Sequence, residues 1–466
     1  MSHSIISQLQ EKLSSTKILT GEDLKDRYTH IWRMNEPLNA LAVILPKTTE
    51  EVAVILKTCH ANNQPVVVHG GLTNLVGSTE MTDGQEVVIS MEKMNQILEV
   101  DEQSRTMTVQ AGVILETVQN KAKEKNLLFP LNYGAKGSAQ IGGAISTNAG
   151  GLRVFRFGMT RNLVLGIEAV LADGTIISSL KKIIKNNSGY DLKQLFIGSE
   201  GTLGVVTKAV LKLVEAPKSR NSAWVGIASY PKVVEFLKFM DSGLAGTLSG
   251  FELMWNATFK IMTSPPASVK APLPYDYPFY VLLESLGSDQ TKDQTALENL
   301  LATALTENII LDAAVAYTAA DLNWFWTVRE DVSVMINQCE NDQQYDISLP
   351  IPKIGGYVAK TTEKLNAIPE VNKVFAFGHI ADGNLHFSIG KNRQSAALIA
   401  QINDTIYAPL TALGGSVSAE HGIGLDKKEY LKLCRTPAEI QLMKTLKQAM
   451  DPKGILNRGK IISVIQ

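Results

Sequence analysis

Three glycine-rich stretches constrain the fold of this chain most, because they leave little side-chain bulk for a hydrophobic core. They span 69–78, directly after the apolar strand Val66–Val68, then 134–151, where eight residues are glycine or serine, and 197–204. A strand that runs into glycines and hydroxyls can turn its backbone N–H groups toward phosphate, since no side chains obstruct the approach. The first stretch is neither Gly-x-Gly-x-x-Gly nor a Gly-Lys-Ser/Thr phosphate loop, and ordinary tight turns also use glycine. Two such loops, with a helix predicted between them over 115–125, suit a long ligand with a pyrophosphate in its middle.

The bulk properties are those of a globular protein with more than one domain. A length of 466 residues exceeds what one hydrophobic core normally supports, so two or three domains are expected. The formal net charge of −1 gives no electrostatic reason to expect nucleic acid or an anionic membrane as a partner. The cysteines (Cys59, Cys339, Cys434) are widely spaced and odd in number, which argues against a disulfide framework.

The N-terminus and the hydropathy pattern bear on location. No apolar run reaches the ~18 residues that indicate a membrane span. Met1–Leu19 is predicted to form an amphipathic helix. It has neither the apolar core of a signal peptide nor the Arg-rich, acid-poor character of a transit peptide. We therefore expect a cytoplasmic protein.

Three of the seven histidines lie in two short runs near the C-terminus. Gly378–His386 contains His-x-x-Asp-Gly-Asn-x-His, and Ser418–Gly422 reads Ser-Ala-Glu-His-Gly. Two neutral imidazoles, a carboxylate and a further histidine are what a divalent metal with an adjacent proton acceptor requires. The alternative is a pair of loops whose histidines hydrogen-bond backbone groups. The occurrence of three histidines and two carboxylates in two such short runs favours a metal and catalytic site. The chain has no His-Glu-x-x-His helix motif, which argues against a zinc peptidase.

The region 221–390 differs from the preceding part of the chain, because strands and helices alternate along it. The predicted strand–helix units are 224–228 with 232–240, 279–283 with 293–305, and 345–349 with 354–365, followed by a strand at 373–377. Further strand candidates lie at 307–317 and 387–389. Strands paired with helices on one face predict an antiparallel α+β domain. From Leu425 to Met450 the pattern is helical.

Several motifs resemble those of a known family. The stretches 141–151, 188–192 (Ser-Gly-Tyr-Asp-Leu) and 197–204 (Ile-Gly-Ser-Glu-Gly-Thr-Leu-Gly) resemble the FAD domain of the vanillyl-alcohol-oxidase/PCMH flavoproteins. Within that superfamily the chain, from about Leu38 onward, is most similar to the D-2-hydroxyglutarate and D-lactate dehydrogenases. The resemblance implies an α+β protein. It would have a PCMH-type FAD-binding domain of two subdomains (1–217), an antiparallel-sheet substrate or cap domain (218–425), and a C-terminal helical segment (426–466) that returns to the FAD domain.

The resemblance also implies which residues hold FAD. They are Gly70, Gly71, Thr73, Asn74, Leu75, Gly77, Ser78, Pro130, Ser138, Gly142, Gly143, Thr147, Asn148, Gly150, Gly151, Gly201 and Val206. The first loop departs from the usual family sequence at Leu72, Asn74 and Ser78. Because asparagine tolerates positive φ, we expect Asn74 to preserve the loop shape where the family has glycine. His69 precedes the paired glycines where this subfamily has a residue that does not attach to flavin, so we expect FAD to be bound non-covalently.

The same resemblance assigns the catalytic and metal residues. His379, His386 and Glu420 match the metal ligands, and His421 matches the general base. Zinc is the first choice for imidazole and carboxylate ligands, with manganese or cobalt as alternatives. Arg329 matches the arginine that binds the substrate α-carboxylate, and its planar fork suits both oxygens. The implied reaction oxidises a D-2-hydroxy acid to the 2-oxo acid.

Departures from the family concern the far end of the substrate. Where 2-hydroxyglutarate dehydrogenases have threonine, lysine and asparagine, this chain has Ser333, Gln344 and Ser388, which we include among the substrate-binding residues with Arg329 and His421. Glutamine for lysine removes a positive charge, so we expect a preference for smaller or less acidic substrates than D-2-hydroxyglutarate. Arg458 stands where the family usually has proline.

Other functions stay open from the sequence. The electron acceptor could be another protein, a quinone, or oxygen, the last making the protein an oxidase. A flavin-binding electron-carrier subunit without its own substrate is a further alternative, although such a protein need not keep the histidines, Glu420 and Arg329. The sequence does not decide between a monomer and a homodimer.

Overall fold

Strands and helices alternate along the chain, and the computed structural model describes residues 4–32 and 37–463. In chain order the strands are β1 (Lys17–Leu19), β2 (Ala42–Leu45), β3 (Val66–His69), β4 (Val87–Ser90), β5 (Ile97–Asp101), β6 (Thr106–Gln110), β7 (Leu127–Leu128), β8 (Val164–Val170), β9 (Ile176–Ser179), β10 (Val205–Lys212), β11 (Val214–Glu215), β12 (Ser219–Ile227), β13 (Leu248–Trp255), β14 (Phe279–Gly287), β15 (Asp312–Val315), β16 (Gln343–Ser348), β17 (Val371–His379) and β18 (Asn384–Lys391).

The α-helices are α1 (Ile5–Lys12), α2 (Thr49–Ala61), α3 (Leu115–Lys123), α4 (Ile141–Thr147), α5 (Val154–Phe157), α6 (Thr160–Leu163), α7 (Lys193–Phe196), α8 (Tyr230–Leu244), α9 (Asn256–Thr263), α10 (Gln290–Thr306), α11 (Ala319–Glu330), α12 (Ser333–Ile336), α13 (Ile351–Asn366), α14 (Ala396–Tyr407), α15 (Leu410–Leu413) and α16 (Pro437–Met450). Among the described residues, no helix combines the length and hydrophobicity needed to cross a bilayer.

The chain forms two compact units. The described residues of the first unit run up to Gly150, from 158 to 216, and from Glu420 onward, and the second unit comprises 151–157 and 217–419. The boundaries predicted from the sequence, 217/218 and 425/426, lie one and six residues after the observed ones. The C-terminal segment therefore belongs with the unit that carries the glycine-rich stretches.

The first unit contains two principal sheets. One has the strand order β1-β2-β4-β3, with β2, β3 and β4 parallel. The other is antiparallel and has the order β5-β6-β10-β8-β9. Apolar residues of α2, including Val52, Ile55 and Leu56, pack with β3 and β4 in a fully buried core. β3 is an edge strand of its sheet. It ends at His69, where the first glycine-rich loop begins.

The two terminal helix predictions were partly wrong. Residues 1–3 lie outside the described residues, α1 ends at Lys12, and Lys17–Leu19 instead pairs antiparallel with β2. The predicted helix 425–450 is divided into a 3₁₀ helix, Lys428–Leu433, and α16. Thr436 begins α16 because its side chain accepts the Glu439 N–H, and Pro437 has no N–H to continue a preceding helix.

The second unit is built on one seven-stranded antiparallel sheet with the order β15-β12-β14-β13-β17-β18-β16. Helices cover both faces, so the predicted one-sided arrangement was wrong. Phe236 of α8 packs on Phe251 of β13, whereas the Trp224 indole of β12, which belongs to a different buried cluster, donates to a carbonyl of α11. The sheet has enough apolar side chains on each face to require both layers.

Strand β13 was not predicted from the sequence. It lies in the middle of the sheet between β14 and β17, and seven of its eight residues are buried. A central strand buried on both faces lacks the alternation of apolar and polar residues that marks a half-exposed strand. Gly250, beside a register shift, weakens the pattern further. This omission matters because β13 carries Glu252.

The short segment 151–157 belongs to the second unit because its arginines are held there. Arg153 Nε donates to the buried Glu284 carboxylate over 3.1 Å, and Arg220 also pairs with that carboxylate. Arg156 donates to the carbonyl oxygens of Thr247 and Leu286. The segment is therefore fixed to β14 by charge-assisted hydrogen bonds, which are stronger than neutral ones.

Candidate active site and cofactor loops

His379 and His386 approach each other across a tight connection between β17 and β18. The connection is a 3₁₀ turn, Ile380–Asp382, followed by Gly383 with φ of +84°. A Cβ at Gly383 would lie 2.6 Å from the Leu349 carbonyl oxygen, so this turn requires glycine. Asp382 Oδ1 accepts the Asn384 N–H, as expected for a turn-forming aspartate. The two imidazole centroids are 5.4 Å apart.

A histidine–carboxylate cluster surrounds this turn in the second unit. Potential ligand atoms of His379 and His386 lie within 4.8 Å of one another, and so do those of His386 and Asp346. Burial raises the pKa of Asp382 to about 6, against the opposing field of His379. Imidazole nitrogens and carboxylate oxygens at this spacing are a donor set that zinc, manganese or cobalt accepts.

Glu252, which the sequence analysis missed, connects the predicted arginine and the first histidine. Its side chain is fully buried; one oxygen is 2.7 Å from His379 Nδ1, and the other accepts from Arg329 Nε over 2.8 Å. Burial alone raises the pKa of Glu252, but His379 and Arg329 bring it below its usual value, so the carboxylate is ionised. The Arg329 guanidinium also lies 4.9 Å from the centroid of the Phe377 ring. The signal that could have revealed Glu252 is a lone carboxylate in an apolar run, which needs a partner when buried.

Asp346 is a second residue that the sequence analysis missed. It is fully buried on β16, opposite His386 of β18, and its Oδ1 lies 3.9 Å from His386 Nδ1. Its carboxylate accepts from Asn384 Nδ2, from Ser418 Oγ and from the Ala419 N–H. Asn384, the asparagine of the His-x-x-Asp-Gly-Asn-x-His motif, therefore contacts Asp346. Asp346 holds the chain immediately before Glu420 and His421.

Glu420 and His421 begin the return of the chain into the first unit. Ala419, the last residue of the second unit, donates its N–H to Asp346 over 3.1 Å immediately before Glu420. On the first unit, Glu200 accepts the Ile423 and Gly424 N–H groups over 2.7 and 2.8 Å, and also accepts from Ser78 Oγ. The Glu-His-Gly motif is thus anchored on both of its flanks.

Of the three residues predicted to bind the far end of the substrate, two lie on neighbouring strands and the third lies on a helix. Ser388 and Gln344 are directly opposite on β18 and β16, and both donate to the Asp342 carboxylate. Ser333 lies on α12, where its hydroxyl donates to Asp331.

The first two glycine-rich loops make close backbone contact in the first unit. A Cβ at Gly71 would lie 2.0 Å from the Ser138 carbonyl oxygen, and one at Gly142 would lie 2.7 Å from Ala111 Cβ. Gln140 is buried, a Cβ at Gly70 would lie 3.7 Å from its Oε1, and this Oε1 has no hydrogen-bond partner among the described residues. Side-chain-free backbone beside an unsatisfied buried amide fits a polar cofactor that supplies the missing partner.

The expectation for Asn74 was wrong in its mechanism. Within this loop positive φ occurs at Leu72 (+56°) and Gly77 (+69°), whereas Asn74 stabilises the loop by its side chain. Asn74 Oδ1 accepts the Ser78 N–H over 3.0 Å, and its Nδ2 donates to Thr79 Oγ1. The loop shape therefore depends on a hydrogen bond from the backbone to the Asn74 side chain rather than on a left-handed asparagine.

The remaining predicted cofactor residues lie on the following elements. Asn148 ends α4 with φ of +51° and accepts the Arg161 N–H, and Gly201 is left-handed and lies against Asn457. Asn457 donates to the Glu200 carbonyl and accepts the Val68 N–H. The loop after α16 therefore links the third glycine-rich stretch to β3. The others are placed as follows: Thr73 and exposed Leu75 in the first loop, buried Pro130 after β7, Thr147 on α4, Gly150 at the end of the first unit's loop, Gly151 in the second unit, and buried Val206 on β10.

His69 is a buried histidine at the end of β3. Its Nε2 lies 2.9 Å from the Thr79 carbonyl oxygen, and burial lowers its pKa to about 4 despite that hydrogen bond. The ring is therefore neutral near pH 7 and contributes to the packing of the loop that follows.

Gly71→Ala is expected to weaken FAD binding by about tenfold or more, because the new methyl must displace the Ser138 backbone, and tenfold corresponds to ~1.4 kcal/mol. The flavin-to-protein absorbance ratio after dialysis measures this effect. Gly134→Ala is the matched control, since a Cβ there meets no atom within 4 Å among the described residues. Equal flavin retention in both variants would show that the contact between the loops does not shape the cofactor site.

Two family models match the chain. Residues 40–179 match the FAD binding domain, and residues 216–461 match the C-terminal domain of the FAD linked oxidases. The mitochondrial D-2-hydroxyglutarate dehydrogenase of Danio rerio is 37% identical over 447 residues, covering 96% of this chain and 83% of that protein. The D-2-hydroxyglutarate dehydrogenase of Stutzerimonas stutzeri (strain A1501) is 34% identical, covering 98% of this chain and 99% of that protein.

Solved structures agree on the fold. Alkyldihydroxyacetonephosphate synthase has a TM-score of 0.75 at 16% identity, covering 99% of this chain and 86% of that one. Substrate-bound p-cresol methylhydroxylase has a TM-score of 0.77 at 14% identity, covering 98% and 96%. The fold and the cofactor loops are those of an FAD-dependent oxidoreductase with α+β, PCMH-type architecture. Within that class, the chain belongs to the FAD-linked oxidase family that includes the D-2-hydroxyglutarate dehydrogenases.

Proposed function

We propose that the protein is an FAD-dependent dehydrogenase that oxidises a D-2-hydroxy acid to the 2-oxo acid. The observation that carries this proposal is the buried arrangement in which Glu252 contacts both His379 and Arg329. A structural ion pair would not need a second histidine, His386, with its ligand atom within 4.8 Å of the first. The names of the D-2-hydroxyglutarate dehydrogenases above support the substrate class and its stereochemistry.

We infer that His379, His386 and Glu420 hold a divalent metal, with zinc as first choice and manganese or cobalt as alternatives. Glu252 on His379 Nδ1 favours the tautomer with its proton on that atom, which leaves the Nε2 lone pair for the metal. When bound, the metal lowers the pKa of the substrate hydroxyl and fixes the α-carbon in position. Asp346, opposite His386 on the neighbouring strand, supports the site by accepting the Ala419 N–H just before Glu420.

The substrate would be oriented and deprotonated by protein side chains. The Arg329 guanidinium would bind the α-carboxylate of the substrate. Glu252 accepts from Arg329 Nε and so preorganises the planar guanidinium. His421 accepts the hydroxyl proton, since an unperturbed imidazole has a pKa near 6.5 and serves as a base around neutral pH. When bound by the glycine-rich loops, FAD would supply the acceptor for the hydride that leaves the α-carbon.

FAD is proposed to be bound non-covalently. The His69 ring is buried, and its Nε2 is occupied by the Thr79 carbonyl, which removes that nitrogen from reach of a flavin methyl group. Electrons would then pass to an external protein or quinone. We further propose a cytoplasmic location, and the sequence leaves a monomer and a homodimer open.

Steady-state kinetics with D-lactate, D-malate and D-2-hydroxyglutarate test the function, with the L-isomers as controls. We expect turnover of the D-isomers alone, with D-2-hydroxyglutarate the poorest substrate because Gln344 replaces a cation. A clear advantage for D-2-hydroxyglutarate would contradict our interpretation of Gln344. Stoichiometric hydrogen peroxide release would identify an oxidase instead of a dehydrogenase.

A further inference from the structure

Asp342 lies beside Gln344 and Ser388, two residues predicted to bind the far end of a 2-hydroxy acid, so the inference drawn from it rests on the proposed function. In the β16–β18 ladder, Asp346 is opposite His386 and Gln344 is opposite Ser388. Alternate residues of a strand share a face, and two residues span about 7 Å. Gln344 and Ser388 therefore lie on the same face of the sheet as His386, about one substrate length farther along it.

Both of these side chains are turned toward Asp342. Gln344 Nε2 donates to Asp342 Oδ2 over 2.8 Å, and Ser388 Oγ donates to Asp342 Oδ1. Ser388 is 1% exposed, whereas Asp342 is half-buried and Gln344 is exposed. The two donors that could have bound a second substrate carboxylate instead hold a carboxylate of the protein.

Two lysines of the same sheet each donate a hydrogen bond to an uncharged group. Lys373 shares the sheet face, two residues before Phe375, which is opposite Ser388, and its ammonium donates to the Gln338 carbonyl. Lys391 is buried and donates to Gln343 Oε1. Asp331, which accepts from Ser333, adds a further negative charge at the start of α12.

We propose that Asp342 makes the side-chain end of the substrate pocket anionic, so that the protein selects D-2-hydroxy acids with a single carboxylate. A second carboxylate on the substrate would be repelled by the Asp342 carboxylate. Small side chains avoid the clash. Side chains that end in a hydroxyl, amide or ammonium can donate to the remaining lone pairs of Asp342.

The test compares Asp342→Asn with the wild type and with Asp404→Asn, which removes an exposed carboxylate from α14 of the same unit. The readout is the ratio of kcat/KM for D-lactate to that for D-2-hydroxyglutarate, on FAD-loaded protein. Equilibrium binding of pyruvate and 2-oxoglutarate, followed by the change in flavin absorbance, is measured in parallel. We expect Asp342→Asn to lower the kinetic ratio by about tenfold or more, as removal of a close like charge should, and to tighten 2-oxoglutarate selectively. Asp404→Asn should leave the ratio within about twofold, as is usual for surface substitutions.

The outcomes separate the two proposals. Flavin reduction by D-lactate with an unchanged ratio in Asp342→Asn would overturn the role of Asp342 and leave the proposed function standing. A wild-type preference for the dicarboxylate that Lys373→Ala abolishes would also overturn it, because Lys373 would then be the group that sets the charge. If no D-2-hydroxy acid reduces the flavin of the loaded wild type, the proposed function fails and the role of Asp342 fails with it.

Discussion

His421→Asn is expected to lower the rate of flavin reduction by about 10²- to 10⁴-fold, the usual contribution of a positioned acid–base group. Asparagine keeps a polar side chain of similar size but cannot accept a proton near neutral pH. The anchors on either side of the motif, Asp346 before it and Glu200 after it, should hold the backbone unchanged. Anaerobic stopped-flow reduction by D-lactate measures the effect directly.

Two comparisons make this result specific to base catalysis. His60→Asn, on α2 of the first unit, controls for loss of a histidine and should reduce the flavin at a rate close to that of the wild type. Metal content and bound flavin should be the same in His421→Asn and in the wild type. A His421→Asn variant that reduces its flavin within about threefold of the wild-type rate would exclude His421 as the base, given the size of such effects.

Glu252→Ala is expected to lower the free energy of unfolding by about 3–5 kcal/mol and to abolish activity. The substitution leaves the buried Arg329 guanidinium without the carboxylate that compensates its charge, and it also leaves His379 Nδ1 without that acceptor. Chemical denaturation measures the stability, and elemental analysis of the surviving folded protein measures metal retention, which we expect to fall.

Glu370→Ala provides the matched control because Glu370 pairs with Arg393 at the surface of the same unit. An exposed pair contributes at most about 1 kcal/mol. Glu252→Gln adds a conservative comparison, since an amide retains one hydrogen-bond acceptor without the charge. If Glu252→Ala and Glu370→Ala are equally stable and equally active, Glu252 does not organise the site.

The glycine-rich loops could be recognised from the sequence because they are local features. Gly71 can lie close to the Ser138 backbone because glycine has no side chain to separate them. The turn at Gly383 was also predictable, because Asp382, Gly383 and Asn384 are turn-forming residues between two histidines. Even so, local reasoning assigned the left-handed conformation to Asn74, whereas Leu72 adopts it. Tertiary contacts decide which residue of a loop takes the strained conformation.

The supporting carboxylates could not be predicted because they depend on which strands are neighbours. Glu252 lies on β13, whose pairing with β17 places it opposite His379, more than a hundred residues later in the chain. Asp346 lies opposite His386 only because β16 pairs with β18 in one particular register. A shift of β16 by one residue would turn the Asp346 side chain to the opposite face of the sheet. The proposed metal ligands were suggested by the resemblance to a family, whereas the carboxylates beside the two histidines follow from sheet topology.

The most direct measurement is the metal content of purified protein together with flavin reduction before and after exhaustive chelation. We predict about one divalent ion per chain, as expected for a three-ligand catalytic site. Chelation should abolish reduction by D-lactate while the flavin spectrum persists, and added zinc, manganese or cobalt should restore the reaction. Protein that contains FAD but no metal, and that keeps its full rate after chelation, would contradict the account.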